Sequence, residues 1–310
     1  MGKGSSRAAD SNPAGSNEQS NESGQRPVDA SIVIRCYNEE KHIGKLLHGI
    51  VSQDFPGRFE IVVVDSGSTD DTVPIAQQFP VKLITIRPEQ FSFGRALNLG
   101  CAESAGEFLV FVSAHVYPLF DDWLSLLLAP FENERIGAVY GKQRGGPETK
   151  FSEHQVFSQW FPDKSVAVQE TPFSNNANCA VRRSLWNTFP YDEELTGLED
   201  LAWAKEIMAA GYRVSYAADA VIAHIHEESP AQIKNRYMRE AIALKQIFPE
   251  QEMSVWDFCT LFARNTVSDY VHAARDGVVK ENILEIPQFR LMQFWGAFSD
   301  FARVDPCPNG

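Results

Sequence analysis

The sequence predicts an α/β protein built on a largely parallel sheet, continued by a helical C-terminal extension. Three observations carry this. Short apolar runs rich in β-branched residues recur between Ser31 and Val112, each too short for a helix and bounded by polar turn residues. Between them apolar residues recur at helical spacing, and alternating strand and helix is the pattern that lays helices over both faces of a sheet. Beyond Pro230 the strand-like runs stop and helical periodicity alone continues.

The elements follow in order. Residues 1–28 are rich in Ser, Asn, Gly and Gln, hold almost nothing apolar and cannot offset their ordering entropy, so a disordered tail is expected. Ser31-Ile32-Val33-Ile34 reads as a first buried strand. Ile43, Leu46, Leu47, Ile50 and Val51 share one face of a first helix, for which Asn38 is the expected N-cap, with Glu39 and Glu40 in the first turn favouring the dipole. Residues 61–64 form a second strand that ends at Asp65 and runs into Ser66-Gly67-Ser68-Thr69-Asp70-Asp71, a turn and helix-start cluster. A third strand over 81–86, a helix over 93–104 and a fourth strand over 108–112 complete the regular half. The second half is less regular. It offers a strand at Ala138-Val139-Tyr140, a polar stretch over 145–170, an Asn-rich strand over 175–181 and a helix over 199–210 that buries Leu201, Ala204, Ile207 and Met208. Two short strands over 214–217 and 220–225 come next, then amphipathic helices through Ile233, Tyr237, Ala241 and Leu244 and over 255–274. The expected division is a tail to residue 28, an α/β domain over 29–228 and a helical extension over 229–310.

Composition narrows the function. Twenty-eight Lys and Arg against 41 Asp and Glu give a net charge of −13, which disfavours nucleic acid as the main partner. No run of about 18 apolar residues spans a bilayer, and residues 1–26 lack the apolar stretch of a secretory signal, so a cytoplasmic location is expected. Five cysteines (Cys36, Cys101, Cys179, Cys259, Cys307) are widely spaced, suggest neither a disulfide framework nor a thiolate zinc site, and are expected to be mostly small buried hydrophobes.

In open α/β sheets ligands sit beyond the carboxyl ends of the strands, here residues 36–39, 65–68 and 113–115. Asp65, followed by small polar residues, is suited either to accept hydrogen bonds from a base or ribose or to cap the next helix. The dinucleotide-binding glycine fingerprint is missing after the first strand, where Arg35-Cys36-Tyr37-Asn38-Glu39 stands, and this disfavours a nicotinamide enzyme. Asn175, Asn176 and Asn178 alternate with small residues, so two of them would share a strand face and could bind sugar hydroxyls. Trp203, one turn after Asp200, is a candidate for stacking on an acceptor sugar.

Taken together, residues 31–39, then Val62-Val63-Val64-Asp65-Ser66-Gly67-Ser68-Thr69-Asp70-Asp71-Thr72, Gly94-Arg95-Ala96-Leu97-Asn98, Asn178-Cys179-Ala180-Val181-Arg182-Arg183 and Gly197-Leu198-Glu199-Asp200 resemble the inverting glycosyltransferases of family 2. The resemblance implies the GT-A fold, a Rossmann-like mixed sheet flanked by helices. It implies that Cys36, Tyr37, Glu39, Asp65 and Ser66 contact the base and ribose of a nucleoside diphosphate sugar, and that Arg95 faces the diphosphate. It also implies that Asp200 is the base that deprotonates an acceptor hydroxyl, with Glu199 orienting the acceptor or the loop. The departure is at the fourth strand, where most members carry an acidic Asp-X-Asp metal motif and this chain has Ser113-Ala114-His115. A neutral imidazole is a fair ligand for Mn²⁺ or a softer ion and a poorer one for Mg²⁺. His115 is therefore the expected metal ligand, with Ser113 and Ala114 beside the donor. Alternation puts His224 and His226 on one strand face, where they could close over the same site.

The expected activity is inverting transfer of a sugar from a nucleoside diphosphate to a glycan or lipid-linked acceptor, in polysaccharide or glycan biosynthesis. A catalytically inactive nucleotide-sugar-binding protein is the alternative, suggested by the missing acidic motif. The tail from Phe289 to Gly296 resembles rhamnosyltransferase-type members, and the mix of Arg236, Arg239 and Lys245 with Tyr237, Met238 and Phe248 would suit either packing on the catalytic body or peripheral contact with the inner membrane face.

Overall fold

The computed structural model describes residues 27–301. The expected tail lies outside the described residues except for Pro27 and Val28, and Cys307 lies outside them as well. The regular half runs β1 (Ala30–Cys36), α1 (Ile43–Val51), β2 (Phe59–Asp65), α2 (Thr72–Ala76), β3 (Val81–Thr85), α3 (Phe93–Ala102) and β4 (Phe108–Ser113). It continues as β5 (Val116–Pro118), α4 (Trp123–Leu128), β6 (Ile136–Gly145), α5 (Phe151–Trp160), β7 (Val166–Gln169), β8 (Asn178–Arg182), α6 (Arg183–Thr188), α7 (Glu199–Ala209) and β9 (Arg213–His224). Four helices follow: α8 (Pro230–Ile247), α9 (Val255–Asp276), α10 (Val279–Asn282) and α11 (Glu285–Phe301).

One mixed sheet is ordered β3-β2-β1-β4-β8-β6-β9-β5, with β7 also on β9. β1 to β4 are parallel where they pair, β8 is antiparallel to both β4 and β6, and β6 is parallel to β9. The carboxyl ends of β1, β2, β4, β6 and β9 and the start of β8 therefore meet along a single edge. Both sheet faces are covered, which is why the strands read as continuous apolar runs. Ile32, Ile34, Val63 and Val110 pack against Ile43, Leu46, Leu47 and Ile50 of α1 on one side. Val33, Val62, Val64 and Phe111 pack against Ala96 and Leu97 of α3 and against Trp203, Ala204 and Ile207 of α7 on the other. Each fully buried Ile, Leu or Val there contributes about 1.5–3 kcal/mol.

Several sequence expectations are corrected. α1 begins after His42, and Asn38 is a turn residue at φ +55° whose side chain accepts the Thr69 amide at 2.8 Å; Asn tolerates the left-handed conformation, so it closes the loop rather than capping the helix. The Asn-rich segment is a turn up to Ala177, folded by the Asn178 amide on the Asn175 carbonyl, and β8 starts only at Asn178. The two short strands over 214–225 are one strand, β9, whose register on β6 shifts between Gly141 and Lys142. The polar stretch over 145–170 holds α5 and β7. Cys36, Cys101 and Cys179 are buried as expected, but Cys259 is exposed on the outer face of α9.

The extension is tied down by polar as well as apolar contacts. A capping box between Ser229 and Gln232 starts α8. α11 lies along α8 so closely that a Cβ on Gly296 would stand 2.4 Å from the Lys234 carbonyl oxygen. A buried pair, Arg290 with Asp269 at 2.7 Å, joins α11 to α9, and Asp269 also accepts the Ser152 hydroxyl of α5 at 2.6 Å. Of the cations expected to suit a membrane surface, Arg236 turns inward to pair with Glu153 and Glu228, whereas Arg239 is exposed and lies over the Phe93 ring at 5.3 Å. No helix among the described residues is long and apolar enough to cross a membrane.

Candidate active site

The register of the parallel strands sets Cys36 beside Asp65 and Arg35 beside Ser113, so the first two strand ends and the end of β4 form one ledge. Asp65 is 1% exposed, and its carboxylate accepts the amides of Gly67 at 3.0 Å and Ser68 at 3.1 Å. The loop after β2 is thus wound around this side chain, and Gly67, at φ +86°, provides the left-handed turn. Asp65 does not cap α2, whose N-cap is Asp71. The Cys36 thiol is buried, 3.7 Å from the Val64 carbonyl and from Asp65, and burial pushes its pKa up. It therefore offers a ligand on the ledge its backbone rather than its thiol. Ser66 has a buried hydroxyl without a protein partner, and Tyr37 is exposed beside it. Ser113 is half-buried, and Ala114 is buried, so only its backbone can face a ligand. Arg95 stands exposed in the first turn of α3, where its amide is capped by Ser92 at 3.2 Å.

Three histidines converge at the end of this ledge. His115 follows β4, His224 ends β9 opposite Val116, and the Ile225 amide on the His115 carbonyl draws His226 alongside. The His115 and His224 rings are 5.1 Å apart and those of His224 and His226 are 4.1 Å apart, with one nitrogen from each of the three within 4.8 Å of the others. Every Nδ1 is already engaged: His115 with Glu39, His224 with Gln143 and His226 with Glu153, each at 2.7 Å. That leaves Nε2 free on all three, and Nε2 of His224 is buried without a partner. Burial and the neighbouring positive groups hold His224 and His226 well below the ordinary imidazole pKa, so both are neutral. A neutral imidazole whose other nitrogen donates to an oxygen acceptor is the form that binds a metal. The donor set therefore fits a divalent transition metal without any carboxylate of the missing acidic motif. Glu39, expected at the nucleotide, is also the partner of His115.

Glu199 and Asp200 open α7 behind Leu198, which adopts φ +54°. Glu199 is 4% exposed and pairs with Arg35 of β1 at 3.0 Å. Asp200 Oδ2 accepts the Asn176 amide at 2.9 Å and Oδ1 accepts the Leu201 amide at 2.8 Å. A helix start by itself favours the ionised carboxylate. Burial, with Glu199 next to it, outweighs the two amides and Arg35, and Asp200 is pushed up to about 7.

The three residues expected at the acceptor separate. Trp203 is 3% exposed with its indole N–H on the Phe189 carbonyl, so it is core and not a stacking platform. Asn178 is fully buried, and its amide accepts from Trp123 at 2.9 Å and donates to the carbonyls of Lys142 and Ala220, so it ties β8 to β6 and β9 with nothing left for a sugar. Asn176 stays beside Asp200 through its amide, and its side-chain nitrogen is buried and unpartnered. Sequence reasoning missed Arg35, Gln143 and Glu153. Arg35 stood within the first motif, where a cation at the end of a buried strand was itself a signal; Gln143 and Glu153 lie in polar runs that carry none.

The model of the family described as glycosyl transferase family 2 matches residues 31–189, just over half of the chain. Among curated proteins, the chain is 26% identical over 239 residues to glycosyltransferase AglE of Haloferax volcanii, covering 70% of this chain and 77% of that one. It is 29% identical over 220 residues to the O-antigen chain rhamnosyltransferase RfbN of Salmonella typhimurium, covering 67% and 69%. Among solved structures, the mannosyltransferase PcManGT of Pyrobaculum calidifontis, in complex with GDP-Man and Mn²⁺, aligns with a TM-score of 0.61 at 19% identity over 89% of each chain, and that likeness is one of fold.

Proposed function

The chain belongs to glycosyl transferase family 2, and we propose that it transfers a sugar from a nucleoside diphosphate to an acceptor hydroxyl with inversion at the anomeric carbon. The observation that supports this most is Asp200: a buried carboxylate held by two amides, with its pKa at about 7, able to take a proton at neutral pH. The ledge of Tyr37, Asp65, Ser66 and Ser113 receives the nucleotide, with backbone amides and hydroxyls as donors. Arg95 bears on the diphosphate. The acceptor hydroxyl gives its proton to Asp200 while its oxygen bonds to the anomeric carbon, and the bond from that carbon to the diphosphate oxygen breaks on the opposite face. Glu199, fixed by Arg35, keeps the start of α7 in place and keeps the proton affinity of Asp200 high.

A divalent ion held by His115, His224 and His226 would offset the charge of the departing diphosphate. Glu39, Gln143 and Glu153 fix the tautomers of those rings. Mn²⁺ in the Pyrobaculum mannosyltransferase agrees with such an ion, and the rhamnosyltransferase relative supports a sugar acceptor in glycan assembly. Incubation with UDP-, GDP- and dTDP-sugars and product analysis by NMR test the reading. Release of free nucleoside diphosphate and a product of inverted anomeric configuration is expected. Retained configuration would contradict the mechanism, and tight donor binding without turnover under any acceptor would favour the inactive binding protein.

A further inference from the structure

A cavity of about 490 Å³ opens at the same sheet edge, two strands beyond the donor ledge, lined by Lys142, Arg144, His154, Ser158 and Phe161 with Asp163 at its mouth. Its charge is unusual for an acidic protein. Lys142 and Arg144 are two apart on β6 and so share a face, and the Lys142 side chain is 7% exposed. Their single acidic partner in the cavity is Asp163, which pairs with Lys142 and reaches Arg144 at 3.5 Å, from a side chain that is 90% exposed. Two cations thus share one carboxylate that solvent can release, and one positive charge is left over.

The cavity also adjoins the reacting centre. Gln143, between the two cations, accepts from His224 Nδ1 and donates to Asn175 at 2.9 Å, and the next residue, Asn176, holds Asp200. Phe157 lines the cavity and stacks on His224 at 5.8 Å. A group bound there would sit beside the residues that hold His224 and Asp200, two strands from the end of β4. Its volume suits a monosaccharide bearing one charged substituent, and a buried ammonium beside a guanidinium recognises a phosphate or a carboxylate.

We infer that this cavity is an anion subsite for the acceptor, with Lys142 and Arg144 gripping a phosphate or carboxylate borne by the acceptor while Asp163 occupies the place when the site is free. The acceptor role rests on the glycosyl-transfer reading; the anion binding does not. The test is calorimetric titration of the full chain, in EDTA, with glucose 6-phosphate, glucuronate and glucose, each repeated in the presence of saturating UDP. The two charged sugars are expected to bind, glucose is not, and UDP does not displace them; the stronger of the two names the anion. Lys142→Gln is expected to weaken binding about tenfold, and Asp163→Asn to strengthen it several-fold because the internal competitor is removed. Arg144→Gln, at an exposed position, is the second variant should Lys142→Gln fail to fold, and it too must weaken binding. Equal binding of glucose, no binding of either anion, displacement by UDP, or affinities untouched by Lys142→Gln, or by Arg144→Gln where it stands in, and Asp163→Asn would overturn the proposal. Absence of nucleoside diphosphate release in the turnover assay would sink the transferase reading and leave this binding result standing.

Discussion

The two ends of the sheet edge are held in different ways. On the donor side the loops after β1 and β2 bond to each other and to themselves: Asp65 to Gly67 and Ser68, Asn38 to Thr69, and the Glu39 amide to Thr72 at 2.7 Å. Opposite them, each working group is fixed by a residue from a distant element: Asp200 by Asn176, Glu199 by Arg35, His224 by Gln143 and His226 by Glu153. Local turns place the proposed nucleotide ledge, whereas long-range polar contacts place the proposed base and the imidazoles. The chemistry on the second side is therefore the more exposed to single substitutions remote in sequence.

The largest effect is expected at the base. Asp200→Asn should lower turnover by about 10²–10⁴-fold while nucleotide affinity on the opposite side stays within a small factor, as judged by kcat and by UDP titration. An equal loss of donor affinity would break the separation of the two sides.

Next come the residues behind the imidazoles. Glu153→Gln should weaken Mn²⁺ binding about 10–100-fold, because the carboxylate that orients His226 is replaced by a weaker acceptor. Tyr37→Ala, on the donor side, should leave Mn²⁺ affinity unchanged. Metal titration monitored by EPR distinguishes the two.

Asn178→Ala should act on stability rather than on substrate. It strands the buried Trp123 N–H and two carbonyls, a loss of about 2–4 kcal/mol read from urea unfolding. A selective rise in acceptor KM with unchanged stability would restore Asn178 to the acceptor site.

The smallest effect is in the pH dependence of stability, where the two kinds of buried group have opposite signs. The pKa of Asp200 is raised in the fold from 3.8 to about 7, so the stabilisation from burying its protonated form is complete below about 4 and is lost as the pH rises to about 7. His224 and His226 are depressed, so their contribution is present above 6.5 and is lost as the pH falls below it. The melting temperature of Asp200→Asn relative to wild type should therefore rise between pH 4 and pH 8. A difference independent of pH would mean that the fold does not raise the pKa of Asp200.

This contrast also explains what could be read from the chain alone. β1, β2 and β4 are buried on both faces and so announce themselves as apolar runs, and the helices between them carry their stripes at helical spacing. Asp200 and the three histidines were visible because residue type and position at an element's end are local properties. Burial is not local. The roles of Trp203 and Asn178 depend on what packs over them, and the pairing of Arg35 with Glu199 spans most of the domain. α5, with Glu153 at its buried face, hid in a polar stretch: it packs on β6 and on α9 and α11 of the extension, and the Arg236 that pairs with Glu153 lies in α8, 83 residues away.

In the proposed mechanism, three neutral imidazoles take the place of an acidic metal motif. Pulsed EPR of Mn²⁺ bound to the full chain tests it most directly, alongside His224→Ala. Couplings to ¹⁴N of imidazole are expected in the wild type, with a weakened, altered spectrum in the variant. Bound Mn²⁺ without ¹⁴N coupling, or with the same spectrum in His224→Ala, would contradict it.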